Sequence, residues 1–214
     1  MDPAPVLLFW SSGKDSAWAL SRLRQAGYSV GALLTTCSEE GRVPFHEIPI
    51  EWVELQAKAI GIPLWVVPLP FPTSNSCYEE VILRQLQHAR QKGFRFVAYG
   101  DLYLDDIRAY RERLTEKAGL SPLFPVWTGS PEASHSVASA ILQAGIRAYL
   151  TWADPHLFPT FRFGTPYTER WIKSLPASVD PCGERGEFHT FCSYSPDFQY
   201  EVGPQIGFSP DSEE

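Results

Sequence analysis

Residues 6–20, with the sequence VLLFWSSGKDSAWAL, constrain the fold of this chain more than any other stretch. The first five residues form a short apolar run that is typical of a strand buried on both faces. A turn of small residues follows, and apolar residues then recur at helical spacing, which predicts a helix beginning near Lys14. A strand that turns this tightly into a helix directs backbone amides toward the helix N-terminus, where the dipole favours an anion. The stretch therefore predicts a phosphate-binding loop.

The side chains of this loop suit the same purpose. Three hydroxyl groups and one positive charge lie within six residues: Ser11, Ser12, Ser16 and Lys14. A Walker loop does not fit, because its first glycine would fall at Leu8 and because Asp15 replaces the Ser or Thr that holds magnesium. An ordinary strand-to-helix turn capped by Ser12 or Asp15 is the alternative interpretation.

The order of predicted elements favours an α/β fold. Over the first hundred residues apolar strand-like runs alternate with amphipathic helices, a pattern typical of a parallel sheet covered on both faces. In such sheets the ligand binds beyond the carboxyl ends of the strands. Thr35, Gly100 and Asp101 each lie at the end of a predicted strand, as the loop does. We therefore expect these residues to form one nucleotide site.

The composition bears on the class of function and on the cellular compartment of the protein. The net charge of -7 and the pI near 5.3 argue against a non-specific nucleic-acid binder, which carries a basic face. The N-terminal residues lack the basic region of a signal peptide, so we expect a cytoplasmic protein that does not engage the membrane. The four cysteines form no C-x-x-C pair and lack zinc-finger spacing, which predicts reduced, structural cysteines.

The chain divides at a change of character in its second half. Prolines and aromatic residues become frequent after residue 153, and helical periodicity survives only around residues 167–175. We predict a nucleotide-binding domain over residues 1–128 and a smaller α+β substrate lobe over residues 129–206. The first helix and strand of that lobe are candidates to complete the sheet. The polar tail, residues 207–214, is predicted to be disordered.

The loop string SSGKDS resembles the pyrophosphate loop, S-G-G-K-D-S, of the adenine nucleotide alpha hydrolase superfamily, with Ser12 where the first glycine usually stands. Three later groups of segments extend the likeness: Phe45-His46 with Gln56-Ala57 and Gly61-Ile62-Pro63-Leu64; Gly100-Asp101-Leu102 with Asp106, Arg108, Arg111 and the stretch PLFPVW at 122–127; and DPCGE at 180–184 with GEFHTF at 186–191. Together they resemble the diphthine–ammonia ligase family, the ATP-binding diphthamide synthases, over residues 6–198.

This resemblance implies a Rossmann-like domain of the HUP type and an activity. Members of the family form an amide from a carboxylate and ammonia while ATP, with magnesium, is split to AMP and pyrophosphate. In archaea and eukaryotes the carboxylate is diphthine, a modified histidine of translation elongation factor 2. The candidate ATP ligands are Ser11, Ser12, Gly13, Lys14, Asp15, Ser16, Thr35, Gly100, Asp101 and Arg108, with Asp15 also a candidate for orienting magnesium.

The second lobe supplies the candidate catalytic groups Glu184, Glu187 and His189. Acids that bind ammonium and a base that removes its proton are the residue types that amidation needs. On a strand, Glu187 and His189 would share one face, which favours a common site.

Several candidate residues also have a structural alternative. His189 could be a core histidine. Glu184 could hold the turn at Gly183 or pair with Arg185. Arg108 could form a helix-surface ion pair with Asp105 or Glu112.

Two other functions remain open at this level. A sulfur-transfer or tRNA-modifying pyrophosphate-loop enzyme would use Cys182, although the chain offers no suitably spaced second cysteine. An adenine nucleotide sensor would bind ATP or AMP without turnover.

Overall fold

A computed structural model of the chain describes residues 4–70 and 72–203. At the centre of the fold is a five-stranded parallel sheet made of β1 (Val6–Phe9), β2 (Val30–Ser38), β5 (Leu64–Leu69), β6 (Phe96–Ala98) and β7 (Ser121–Leu123). The order of the strands across the sheet is β5-β2-β1-β6-β7. The strand predicted at residues 6–10 lies in the middle of this sheet, and the predicted α/β fold is confirmed.

Five helices cover the two faces of the sheet. They are α1 (Lys14–Gln25), α2 (Ile50–Ile60), α3 (Asn75–Gln91), α4 (Asp105–Lys117) and α5 (Ser134–Gln143). Val6 and Leu8 of β1 belong to the core shared with α1, α2 and α5, whereas Leu7 belongs to the core shared with α3 and α4. Because side chains alternate along a strand, a strand buried on both faces needs apolar residues at every position, as β1 has.

The second half of the chain forms its own antiparallel pair, β8 (Arg147–Ala153) with β9 (Phe188–Tyr194). From the sequence, the first strand of the second lobe is a candidate to complete the parallel sheet. Strand β8 does not do so, because it pairs with β9 instead. The physical reason lies in edge strand β7, which has three residues with Pro122 in the middle. A proline has no N–H for a ladder, so this edge is a poor template for a sixth strand.

The two halves share one apolar core on the α1 side of the sheet. Leu150 of β8 and Phe191 of β9 are buried in the same cluster as Leu20 of α1 and Ile60 of α2. This packing brings β9 against the start of α1. The boundary near residue 128 stays a prediction, and the tail at 207–214 lies outside the described residues.

A short hairpin and a short helix also belong to the fold. The strands β3 (Arg42–Val43) and β4 (Ile48–Pro49) form a short hairpin after β2, and α6 (Glu169–Lys173) is a single turn and a half near β8. Within residues 4–70 and 72–203, no helix combines the length and apolar character needed to cross a bilayer.

Candidate active site

A cleft of about 900 Å³ lies at the carboxyl edge of the parallel sheet. Its volume falls within the range of about 300–1,000 Å³ that is usual for small-molecule sites. The predicted site residues that line it are Ser11, Lys14, Asp15, Ser16, Thr35, Gly100, Asp101, Glu184 and His189. The structure thus brings the loop, two strand ends and part of the second lobe to one cavity.

The loop between β1 and α1 is held by local hydrogen bonds. The Ser16 hydroxyl accepts from the Ser11 N–H at 3.0 Å and lies 2.9 Å from the Ser11 hydroxyl. The first intrahelical bond of α1 runs from Ala17 N–H to Gly13 C=O, so the amides of the preceding turn have no acceptor within the helix. First-turn amides that have no helical acceptor are a feature of an anion site when they lie at the edge of a cleft.

Two glycines allow other elements to approach this loop closely. A Cβ on Gly100 would lie 3.2 Å from the backbone carbonyl of Asp15, and a Cβ on Gly13 would lie 3.2 Å from the Thr190 carbonyl oxygen. The Thr190 hydroxyl in turn accepts from the Lys14 N–H at 3.2 Å. Strand β9 is therefore in direct contact with the phosphate loop.

Ser12 adopts a left-handed backbone conformation with φ of 73°. A residue with a Cβ is strained in this region, which explains why glycine usually stands at this position in loops of this kind. The Ser12 side chain is fully buried and its hydroxyl oxygen has no hydrogen-bond partner. The serine fits the loop, at a cost in conformational energy.

The Lys14 side chain is buried and turns toward the second lobe. Its Nζ donates to the Cys182 carbonyl at 2.5 Å and to Asp15 Oδ2 at 2.9 Å, and it lies 5.2 Å from the centre of the Tyr167 ring. Burial opposes the charge, but the adjacent Asp15 carboxylate, through its charge and its hydrogen bond, is the main group that raises the pKa of Lys14. The lysine therefore stays charged and joins the loop to the second lobe.

Three carboxylates line the cleft with this lysine: Asp15, Asp101 and Glu184. Glu184 Oε1 accepts from the Leu102 N–H at 2.7 Å. Burial, followed by the charges of Asp15 and Asp101, raises the pKa of Glu184 to about 8. A carboxyl group with this pKa holds a proton at neutral pH far more readily than an ordinary glutamate.

The residues of the cleft fit magnesium only as a partner of a bound nucleotide. Within residues 4–70 and 72–203, no group of three or more His, Cys, Asp or Glu could hold a metal ion. Asp15 Oδ1 is buried without a partner, however, and a carboxylate oxygen is a preferred magnesium ligand. Magnesium commonly takes one or two carboxylates and completes its shell with phosphate oxygens and water. Asp15 is the residue that fits this role.

Glu187 and His189 do not share a site. Glu187 precedes β9, and its carboxylate accepts from the Asp180 N–H at 2.9 Å and from the Arg185 N–H at 3.0 Å. Both oxygens are thus used to close the turn that carries Glu184. The predicted common face of Glu187 and His189 is wrong, because the turn rather than the strand sets the direction of Glu187.

His189 does line the cleft, as one member of a ring cluster. Its ring lies 4.8 Å from that of His46, 5.5 Å from that of Trp152 and 6.2 Å from that of Phe45. Burial, together with the charge of Lys14, lowers the pKa of His189 to about 4. The imidazole is therefore neutral at pH 7.

Arg108 lies outside the cleft, and Arg111 takes the place expected for it. Arg108 Nε donates to Glu112 Oε1 at 2.8 Å, the helix-surface ion pair that the sequence left open. Arg111 lines the cleft, lies 5.0 Å from the centre of the Tyr99 ring and has its Nε 3.6 Å from Asp101 Oδ2. Both arginines stand on α4, and only packing against the sheet distinguishes them.

The chain is similar to a known protein family. A family model described as the diphthamide synthase N-terminal domain matches residues 4–122. The chain belongs to this family. No curated protein matches the sequence.

The match to the diphthamide synthase N-terminal domain covers only part of the cleft. The loop, Thr35, Asp101 and Arg111 lie within residues 4–122, whereas Glu184 and His189 come from the following part of the chain. The second-lobe residues are therefore assigned on their geometry. Sequence reasoning missed the contact of Thr190 with the loop, because nothing in the chain spacing predicts that β9 packs beside α1.

Cys182 has the properties of a structural cysteine. Its side chain is buried, its Sγ lies 3.5 Å from the Ser134 carbonyl, and burial raises the pKa of its thiol to about 12. A thiol with this pKa is a poor nucleophile at neutral pH. This environment argues against sulfur transfer through Cys182.

Proposed function

We propose that this protein is an ATP-dependent amide ligase that adenylates a carboxylate and amidates it with ammonia, releasing AMP and pyrophosphate. One observation carries the proposal. A loop whose first-turn amides have no acceptor within the helix and a glutamate with a raised pKa line the same cleft, in a chain of the diphthamide synthase family.

The loop is suited to the departing pyrophosphate. When an adenylate forms, negative charge on the departing β and γ phosphates must be neutralised. Hydrogen-bond donors that are already in position can do this without moving during the reaction. The amides at the start of α1 and the hydroxyls of Ser11 and Ser16 are such donors. Asp15 would hold magnesium, which supplies further positive charge to the phosphates.

Glu184 is suited to ammonia. Ammonium must lose a proton before its nitrogen can attack the adenylate, and a base works best when its pKa lies near the operating pH. The raised pKa of Glu184 meets this condition better than the pKa of His189, which is about 4. We assign the proton transfer to Glu184 and assign Glu187 to the shape of the turn.

The acceptor is a carboxylate-bearing molecule that reaches the cleft from solvent. The family description supports a diphthamide-type substrate, namely diphthine on elongation factor 2 if the source is an archaeon or a eukaryote. In a source without diphthamide the acceptor is a different carboxylate.

Phosphorus NMR with ATP, magnesium, ammonium and diphthine-bearing elongation factor 2 tests the proposal. We expect AMP and pyrophosphate as products, with much slower turnover in Glu184→Gln. Glu169→Gln, on the exposed surface of α6, is the matched control and should turn over at the parental rate. ADP as the main product would exclude the proposed chemistry, and ATP binding without turnover of any carboxylate offered would favour a nucleotide sensor.

A further inference from the structure

We propose that Gln56 is a positioning residue for the phosphate loop and that it acts by holding Ser12 in its left-handed conformation. The inference rests on the proposed function, since it concerns how the loop is kept ready for phosphate. Gln56 lies on α2, is fully buried and does not line the cleft.

The Gln56 amide makes three hydrogen bonds that fix its orientation. Its Oε1 accepts from Trp10 Nε1 at 2.8 Å, and its Nε2 donates to the carbonyl oxygens of Ser12 at 3.0 Å and Cys192 at 2.7 Å. The indole nitrogen can only donate and the two carbonyls can only accept, so the reversed amide would lose all three bonds. The side chain therefore has one usable orientation.

The Ser12 carbonyl is held from two directions. It accepts from Gln56 Nε2 and from the Cys192 N–H of β9 at 2.8 Å. In a trans peptide the C=O and the following N–H point in opposite directions, so fixing this carbonyl also fixes the Gly13 N–H on the side away from Gln56. The clamp thus sets the direction of a loop amide.

Ser12 needs this clamp because its conformation is unfavourable by itself. With φ of 73° and a Cβ, the residue would relax to a more favourable region if its carbonyl were released. Its own hydroxyl contributes no hydrogen bond to hold it. A glycine at the same position would adopt this conformation without steric cost.

This difference between serine and glycine gives a specific test. Gln56→Met keeps the approximate size of the side chain but removes all three hydrogen bonds. We expect the affinity for ATP, measured by calorimetry, to fall about tenfold, the scale of one well-placed hydrogen bond. Adding Ser12→Gly should restore most of that affinity, because the loop then no longer needs to be held.

The rescue separates positioning from a general loss of structure. Ser193→Ala removes the hydroxyl of a buried residue on the same strand β9, which lies 3.3 Å from both the Arg147 carbonyl and Glu201 Oε1. This control should lower the melting temperature with ATP affinity unchanged, and Ser12→Gly should not alter its effect. If Gln56→Met does not fold, Gln56→Asn, which withdraws the amide by one methylene, replaces it in the same cycle.

The outcomes are distinguishable. Parental affinity in the Gln56 variant, or an affinity that stays low after Ser12→Gly, would overturn the positioning role while leaving the ligase proposal intact. If the parent protein binds no ATP, the proposed function fails and this inference fails with it. Restored affinity in the Gln56 double variant supports the clamp, provided that Ser193→Ala keeps the parental affinity with and without Ser12→Gly.

Discussion

Replacing Glu184 with Gln tests the electrostatics of the cleft without nucleotide. The glutamate is held by the Leu102 N–H at 2.7 Å and faces Asp15 and Asp101. A glutamine keeps the oxygen that accepts from Leu102 but cannot ionise. Any pH dependence that Glu184 gives to the fold should therefore disappear in the variant.

The size and sign of the effect follow from the pKa of Glu184. An ordinary glutamate ionises at 4.5, whereas burial and the two neighbouring charges raise the pKa of Glu184 to about 8 in the folded protein. Each unit of difference corresponds to about 1.36 kcal/mol, so ionising this group fully costs the fold about 5 kcal/mol. The folded state binds the proton more tightly than the unfolded state does. Stability is therefore undiminished below pH 4.5, falls as the pH rises toward 8, and is level above that.

Urea unfolding of the parent and of Glu184→Gln between pH 5 and 8.5 measures this difference. We expect the free energy of unfolding of the parent, relative to the variant, to decrease by about 3–4 kcal/mol across the range. Contributions from His46, His189 and Asp101 cancel in the comparison to the extent that both proteins share them. Glu169→Gln on exposed α6 should run parallel to the parent. A difference between parent and Glu184→Gln that stays constant with pH would refute the assignment of a raised pKa.

Further predictions concern the loop, the arginines of α4 and the turn before β9. Ser12→Gly should raise the free energy of unfolding by about 1 kcal/mol in denaturant titrations, because it removes a strained conformation and a buried unpaired hydroxyl; a loss of stability would contradict this. Arg111→Ala should weaken ATP binding about tenfold and Arg108→Ala less than about twofold by calorimetry, and equal effects would remove the distinction between them. Glu187→Gln should lower the free energy of unfolding by about 2 kcal/mol, because a glutamine has one acceptor oxygen for the two backbone N–H groups of Asp180 and Arg185. Unchanged stability would argue for a role of Glu187 in the reaction instead.

The sequence by itself determined the fold class and the place of the site. The apolar run at residues 6–10 predicted a strand buried on both faces, and the small residues after it predicted a tight turn into a helix. Periodicity and turn residues are local signals, so they predicted the helix that begins near Lys14 and the cleft at the strand ends. Even the departure from glycine at Ser12 was visible, although its left-handed φ was not.

The tertiary structure decided which side chains reach the cleft. Arg108 and Arg111 stand on one helix with similar sequence surroundings, and contact with Tyr99 selects Arg111. Glu187 and His189 are two residues apart, yet the turn at residues 180–187 takes both oxygens of the glutamate.

Contacts between distant segments were the part that the sequence could not predict. Gln56 reaches Ser12 across 44 positions, and Lys14 reaches the Cys182 carbonyl across 168. Hydrogen bonds of this kind depend on how β9 packs against α1, which is set by the burial of the whole apolar core rather than by any local pattern. The chain sequence thus determines the loop, and the packing of the second lobe determines how the loop is held.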